Sequence, residues 1–526
     1  MSGEIDRRWL LNALGRGVAS AALPSAASAA SRATLASGRP HPFSFDALRS
    51  LARRRAAERY APPRPPSSVL EQIDYQAWGQ IRFDPDLALF RNGPLPVTFF
   101  HLGRYFPLPV RMFAVENGVA REVIYDQTAF RMPHDSPARK LPRGAGFAGF
   151  RVQEPRDGAL DWRTNDWVAF LGASYFRAIG ELHQYGLSAR AIAIDTAVFN
   201  HPEEFPRFTE IFIERPAAGA HTITACALLE GPSITGACRF VMTRGAGVIM
   251  DVDQTLFLRR PVARFGLAPL TSMYWFSETV KPTAIDWRPE VHDSDGLAMW
   301  TGDGERIWRP LNDPPQVAVS AFSDENPKGF GLMQRDRNFD HYLDGVFYER
   351  RPSLWVEPKG AWGKGSVQLV EIPTSDEIND NIVVAWVPDQ PPAPGTELDL
   401  SYRLYWLANE PHPGPLARCV ATRMGRGGQP GQPRPPGVRK FVVEFLGGPL
   451  TTLPFGVMPG MALQTSRGRF TDYKFVEPAP DGVAGHWRAH FDLADVEGSE
   501  PVELRLQLTV GGRPATETWA YQYHPF

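Results

Sequence analysis

Apolar and polar side chains alternate with a period of two along much of the chain. Leu398, Leu400, Tyr402, Leu404 and Trp406 share one face of a strand, as do Phe441, Val443 and Phe445. The same spacing recurs in Val502, Leu504, Leu506, Leu508 and Val510, and in Trp519, Tyr521 and Tyr523. Alternation of this kind marks half-buried strands. About seven short strands over roughly 130 residues predict an immunoglobulin-like sandwich across residues 396–526. The glycine- and proline-rich run 425–437 reads as a loop between two of its strands.

Residues 43–388 carry the same signal in longer form. Strands are predicted at Leu95 to Phe100, Phe208 to Ile213, Thr222 to Leu228 and Gly247 to Val252, separated by Gly, Pro and Asp turns. Helix is expected only over Phe45 to Tyr60 and Gln72 to Ile81. One large sheet pair of roughly 15 or more strands, a β-supersandwich, is the architecture that fits. The fold class is therefore all-β. A chain of 526 residues exceeds the size at which one core stops growing, so two domains are expected. The division is placed at Pro388 to Gly395, where four prolines and a glycine interrupt two strand patterns.

Composition narrows the partners. With 43% hydrophobic and 22% charged residues and a net charge of -2, neither nucleic acid nor a membrane surface is favoured. A homodimer is left open. Three cysteines, Cys226, Cys238 and Cys419, exclude a disulfide framework. Cys226 and Cys238 fall on neighbouring strands and read as small buried thiols rather than a pair. At the N-terminus, Arg7 and Arg8 precede a mild apolar run that ends in Ala27-Ser-Ala29. Paired arginines, a weak apolar run and a small-x-small cleavage site describe a twin-arginine export signal over residues 1–30 and a periplasmic destination. The run falls short of the about 20 apolar residues of a membrane span.

Candidate chemistry lies in acidic loops on strand-like frames. Glu371 to Asn381 places Asp376, Glu377 and Asp380 between two buried strand patterns, a cluster expected to face water or substrate. His292 to Gly296 adds Asp293 and Asp295 just before a strand. The third loop, Gln334 to Asp344, mixes charges and aromatics, contributes Arg335, and leads into Tyr348, Arg351 and Trp355. Two carboxyl groups can hydrolyse a glycosidic bond, one protonating the leaving oxygen and the other activating water or attacking directly. Trp300, Trp308, Trp355 and Trp362 offer flat apolar faces for sugar rings, with core packing as the ordinary alternative. Gly360 to Ser366 imitates a phosphate loop, but its spacing is short and no helix follows. Gly172 to Phe176 lacks the closing glycine of a nucleophile elbow. His292 and His341 have no ligand partners at metal-binding spacing, so neither metal nor cofactor is expected.

These residues resemble a known family. Gly146 to Phe150, Leu171 to Arg177, Tyr185 to Arg190, Glu203 to Phe208, Ala268 to Met273, His292 to Ser294, Ile307 to Asn312, Asn326 to Gly331 and Trp362 to Val384 are similar to the periplasmic glucan biosynthesis proteins of the OpgG and OpgD type. The resemblance runs from about Phe43 to the C-terminus, and the arginine pair resembles the OpgD branch. It implies a β-supersandwich joined to an immunoglobulin-like domain, and action on β-1,2-glucan with inversion at the anomeric carbon. It further implies Asp380 as general acid, Asp293 as general base acting through waters and a sugar hydroxyl, and Tyr348 on that route. Ordinary inverting carboxyls stand roughly 6.5–9.5 Å apart, and a longer separation suits a relay. Asn338 and Gly345-Val-Phe347 depart from the family pattern in the loop expected over the cleft. A weakened relay would let a sugar hydroxyl replace water, so a cyclising or re-linking transglycosylase stands beside the endo-β-1,2-glucanase. A non-catalytic glucan-binding scaffold is the reading from a different class.

Overall fold

The computed structural model describes residues 35–281 and 284–525. The predicted export signal lies outside those residues. Strand dominates and helix is sparse, as the periodicity requires. Among the described residues, no helix is long and apolar enough to cross a membrane.

The chain divides into two compact units, each assembled from several stretches of sequence. In the first, one sheet runs through His41–Pro42, Val119–Glu122, Arg111–Glu116, Arg207–Glu214, Thr222–Glu230, Ile234–Arg244, Val248–Leu258 and Glu397–Leu407. A second runs through Phe265–Ser272, Ser188–Arg190, Tyr175–Ala178, Asp166–Leu171, Gly149–Gln153 and Val97–Phe100. Aromatic rings join their inner faces. Phe170 meets Phe240 edge-on at 5.1 Å, and Phe176 meets the same ring at 5.0 Å. The helix Phe45–Ala57 starts where Ser44 accepts from the Ala47 N–H at 3.2 Å, the N-cap bond that satisfies an orphan donor. It buries Leu48 and Ala52 against Cys226, Leu228, Ala237 and Phe257. Cys226 and Cys238 are free, buried thiols, both pushed up to about 12 by burial.

One strand departs from expectation. Glu397–Leu407 was expected to open the C-terminal sandwich, but it pairs with Val248–Leu258 over most of its length, from Val248↔Trp406 to Phe257↔Glu397. Its alternation is real; periodicity identifies a strand but not its neighbour.

In the second unit, Gly329–Met333, Gly296–Trp300, Arg306–Pro310, Thr518–Tyr523, Val502–Val510 and Gly460–Thr465 form one sheet. Arg418–Arg426, Arg439–Leu446, His486–Ala494 and Arg469–Pro478 form a second. Phe441 and Phe491 stack at 5.2 Å and meet Trp519 at 6.3 and 6.0 Å, closing these sheets into a sandwich. Burying a side chain of this size contributes about 2–3 kcal/mol.

Candidate active site

The acidic residues singled out in the sequence all lie in the second unit. The loop after Lys364–Glu371 is pinned at both ends. Glu371, itself fully buried, accepts from Arg309 Nη2 at 2.9 Å and from the Asn312 N–H at 2.6 Å. At the other end, Asn381 accepts from the Tyr274 N–H at 2.9 Å and donates to the carbonyls of Tyr274 and Ile372 at 2.8 and 2.9 Å. Between these anchors Asp376 and Asp380 are half-buried, whereas Glu377 is buried.

The inward turn of Glu377 corrects the expectation that all three acids face outward. Its Oε2 accepts from Tyr348 Oη at 2.5 Å and from Arg288 Nη1 at 2.7 Å. Arg288 also reaches Asp344 at 2.6 Å and Asp286 at 2.9 Å, and these carboxylates hold its guanidinium charged. One cation thus ties the acidic loop to the segment that precedes Tyr348. No spacing rule connects residues 286, 344 and 377, so sequence reasoning missed Arg288 and the inward role of Glu377.

Asp293 sits in the turn between Val291–His292 and Gly296–Trp300. Its N–H donates to the Met273 carbonyl at 2.9 Å, one residue from the Tyr274 backbone that Asn381 grips. The side chain is 0% exposed, and its Oδ1 lies 3.6 Å from Arg351 Nε. The Arg351 guanidinium in turn stands over the Tyr348 ring at 5.0 Å. A continuous path therefore runs from Asp293 through Arg351 and Tyr348 to Glu377, three residues before Asp380. Phe347, the residue before the Tyr348–Arg350 turn, has φ 58°. A left-handed bulky residue costs about 1–3 kcal/mol, and such strain gathers at functional sites.

Asp295, two residues on, does something else. Its Oδ2 accepts from the N–H groups of Arg335 and Asp336, each at 2.8 Å, and so builds the start of the next loop. Burial holds its carboxyl above the usual range. Gly296 is required here, because an added Cβ would lie 2.2 Å from Trp308 Cζ2.

A second buried network backs the Asp293 turn. His292 Nε2 meets Glu290 Oε2 at 2.9 Å, and its Nδ1 meets Gln334 Oε1 at 3.0 Å. Gln334 Nε2 donates to Tyr342 Oη and to the Tyr348 carbonyl, both at 3.0 Å. Burial, reinforced by the Asp336 carboxylate, pushes Glu290 up to about 8. Burial and the Glu290 carboxylate push Glu278 to about 7. His292 is lowered by burial. Glu290, Asp336 and His341 bring ligand atoms within 4.8 Å of one another, a grouping that residue spacing did not suggest. These atoms are engaged within the protein: His341 Nδ1 meets Asp336 Oδ2, and Glu290 meets His292.

Several expected sugar contacts are spent on packing. Trp355 is buried against Gly329, where an added Cβ would stand 2.5 Å from its ring. Trp308 is buried too, with the Arg335 guanidinium 3.6 Å from its ring centroid. Arg335 pairs with Glu410 at 2.6 Å and Glu517 at 2.5 Å, so its charge is already compensated. Arg351 is buried beside Asp293 rather than displayed on a surface. Trp300 and Trp362 remain half-buried, and Arg306 stacks on Trp300 at 3.8 Å.

Residues 43–523 match the family described as periplasmic glucan biosynthesis protein, MdoG. The chain belongs to this family. Among MdoG relatives, it is 62% identical over 531 residues to the protein named glucans biosynthesis protein D 2 of Ralstonia nicotianae, covering 99% of this chain and 98% of the relative. It is 46% identical over 537 residues to glucans biosynthesis protein D of Xanthomonas oryzae pv. oryzae, with 99% and 98% coverage. The corresponding Stenotrophomonas maltophilia protein is 48% identical over 494 residues, covering 93% of this chain and 91% of the relative. The MdoG match spans both loops and the path between them.

Proposed function

We propose that this protein is a periplasmic enzyme of glucan biosynthesis that cleaves β-1,2-glucan with inversion, as an endo-β-1,2-glucanase exported by the twin-arginine route. Asp380 acts as general acid and delivers its proton to the leaving glycosidic oxygen. Asp293 is the terminal base. The observation that carries this reading is the path from the buried Asp293 through Arg351 and Tyr348 to the acidic loop. A carboxylate that is 0% exposed does not itself touch the water attacking an anomeric carbon, so the proton travels to it through water and a sugar hydroxyl near Tyr348. Arg351 supplies the countercharge. Per turnover, Asp380 loses one proton and Asp293 gains one, and solvent resets both.

A transfer reading also has support. The loop before Tyr348 exposes Leu343, Val346 and Phe347, an apolar cover that disfavours water as acceptor relative to a second sugar. In that case the same acid cleaves and a glucan hydroxyl attacks. Incubation of the mature protein with linear β-1,2-glucan separates the two. Hydrolysis raises reducing ends and shortens the products. Cyclising transfer gives products lighter by one water without a matching rise in reducing ends. Turnover that persists in Asp380→Asn would overturn Asp380 as the acid, and binding without turnover by the unsubstituted protein would overturn the enzyme reading and leave a glucan-binding scaffold.

A further inference from the structure

The first unit contains a cavity of about 630 Å³, a volume typical of small-ligand sites. An unusual stretch of backbone joins two of its lining residues, Asp195 and His201. Asp195, Ala197 and Asn200 all have positive φ, at 57°, 53° and 54°. Asn and Asp tolerate this conformation, but alanine has no side-chain bond to offset it. The segment is held there: Asp195 Oδ1 accepts from the N–H groups of Ala263 and Arg264 at 2.7 and 2.8 Å. The result is display of aromatic surface, with Phe199 90% exposed and Phe205 49% exposed.

Beneath Phe205 the floor is rigid. Buried Arg190 stacks on that ring at 5.4 Å and donates twice to Glu203 Oε1, each at 2.8 Å, and Thr196 Oγ1 donates to the same oxygen at 2.7 Å. Ser233 lines the cavity, is 1% exposed, and its Oγ meets no hydrogen-bond partner in the protein. A buried hydroxyl of this kind is costly unless something bonds to it. The charges are largely compensated: Glu204 faces Arg260 at 3.5 Å, Glu203 faces Arg190, and Asp195 is held by backbone N–H groups. Neither an anion nor a cation is favoured. Carboxylate acceptors, a hydroxyl and a half-exposed ring suit a neutral polyhydroxyl ligand whose C–H face lies on the aromatic.

We propose that this cavity is a second glucan-binding site, in the unit that does not contain Asp380, which retains long chains by stacking a sugar ring on Phe205. Its ligand class rests on the proposed action on β-1,2-glucan. The test uses the mature protein carrying Asp380→Asn, so that glucan is bound without turnover, with and without Phe205→Ala or the exposed His201→Ala. Binding of long and short linear β-1,2-glucan is measured by calorimetry. Phe205→Ala is expected to raise Kd for long chains about tenfold, the loss of one stacked ring, and His201→Ala, which removes one lining side chain, to raise it by a smaller factor. In the active protein, both leave turnover of the shortest cleaved oligosaccharide unchanged. Unaltered Kd for long chains, alongside turnover that depends on Asp380, overturns the second site and spares the proposed function. Absence of any β-1,2-glucan binding overturns both.

Discussion

The two acidic loops of the second unit are built in opposite ways. The turn at Asp293 is desolvated: the carboxylate is fully buried, Arg351 is its neighbouring cation, and His292, Gln334 and Tyr342 pack behind it. The loop ending at Asp380 is anchored through Glu371, Glu377 and Asn381, yet leaves Asp380 itself half-buried. In the proposed reaction, the buried acid is the one to which a proton is relayed, and the half-buried acid is the one that a glycosidic oxygen reaches directly. The difference supports the proposed roles of base and acid, because burial limits which carboxyl can meet substrate.

The contrast breaks most sharply at Asp293. Asp293→Asn is expected to lower turnover of β-1,2-glucan by about 10²–10⁴-fold. It also destabilises the fold by about 3–5 kcal/mol, because it breaks the buried Asp293–Arg351 pair and leaves the cation only the influence of Asp344, Glu377 and Glu349. Asp380→Asn should match the loss of activity but destabilise the fold less than Asp293→Asn does. Denaturant titration of both variants checks the pair. Equal destabilisation would mean that the loops are not built differently.

Next in size is Arg288→Met. It leaves Asp286, Asp344 and Glu377 without their shared cation and should cost about 3–5 kcal/mol, read as a fall in the denaturation midpoint. Tyr348→Phe removes one donor to Glu377 and should cost about 1–3 kcal/mol. A larger fall in kcat than in stability would mark its hydroxyl as part of the proton route.

A further effect is on pH dependence. Glu290 is raised from an ordinary 4.5 to about 8, so the folded state keeps a proton that the unfolded chain has released. This contribution is fully present below about 4.5 and is lost as pH rises through 8, so stability should fall across that window. Glu290→Gln should flatten the slope, as followed by Tm against pH.

Much of the architecture was legible because alternation reports burial directly. Val502–Val510 and Thr518–Tyr523 appear nearly as read, and so does the helix from Phe45. The partner of Glu397–Leu407 was not legible, since a strand's neighbour depends on contacts far away in sequence. At the site, the loops were visible as acids between strands. Which acids turn inward was not: Glu377 is buried only because Arg288 and Tyr348 converge on it from other segments. Trp308 and Trp355 show the same limit, since indoles that suit a sugar suit a core equally well.

The most direct test of the division between acid and base is the anomeric configuration of the first product from linear β-1,2-glucan, followed by proton NMR, with Asp380→Asn and Asp293→Asn alongside. Inversion predicts an α-configured product at the cleaved bond, formed by the wild-type protein and by neither variant. A β-configured first product would require a carboxylate nucleophile in contact with the sugar, which a fully buried Asp293 cannot supply, and would contradict the assignment.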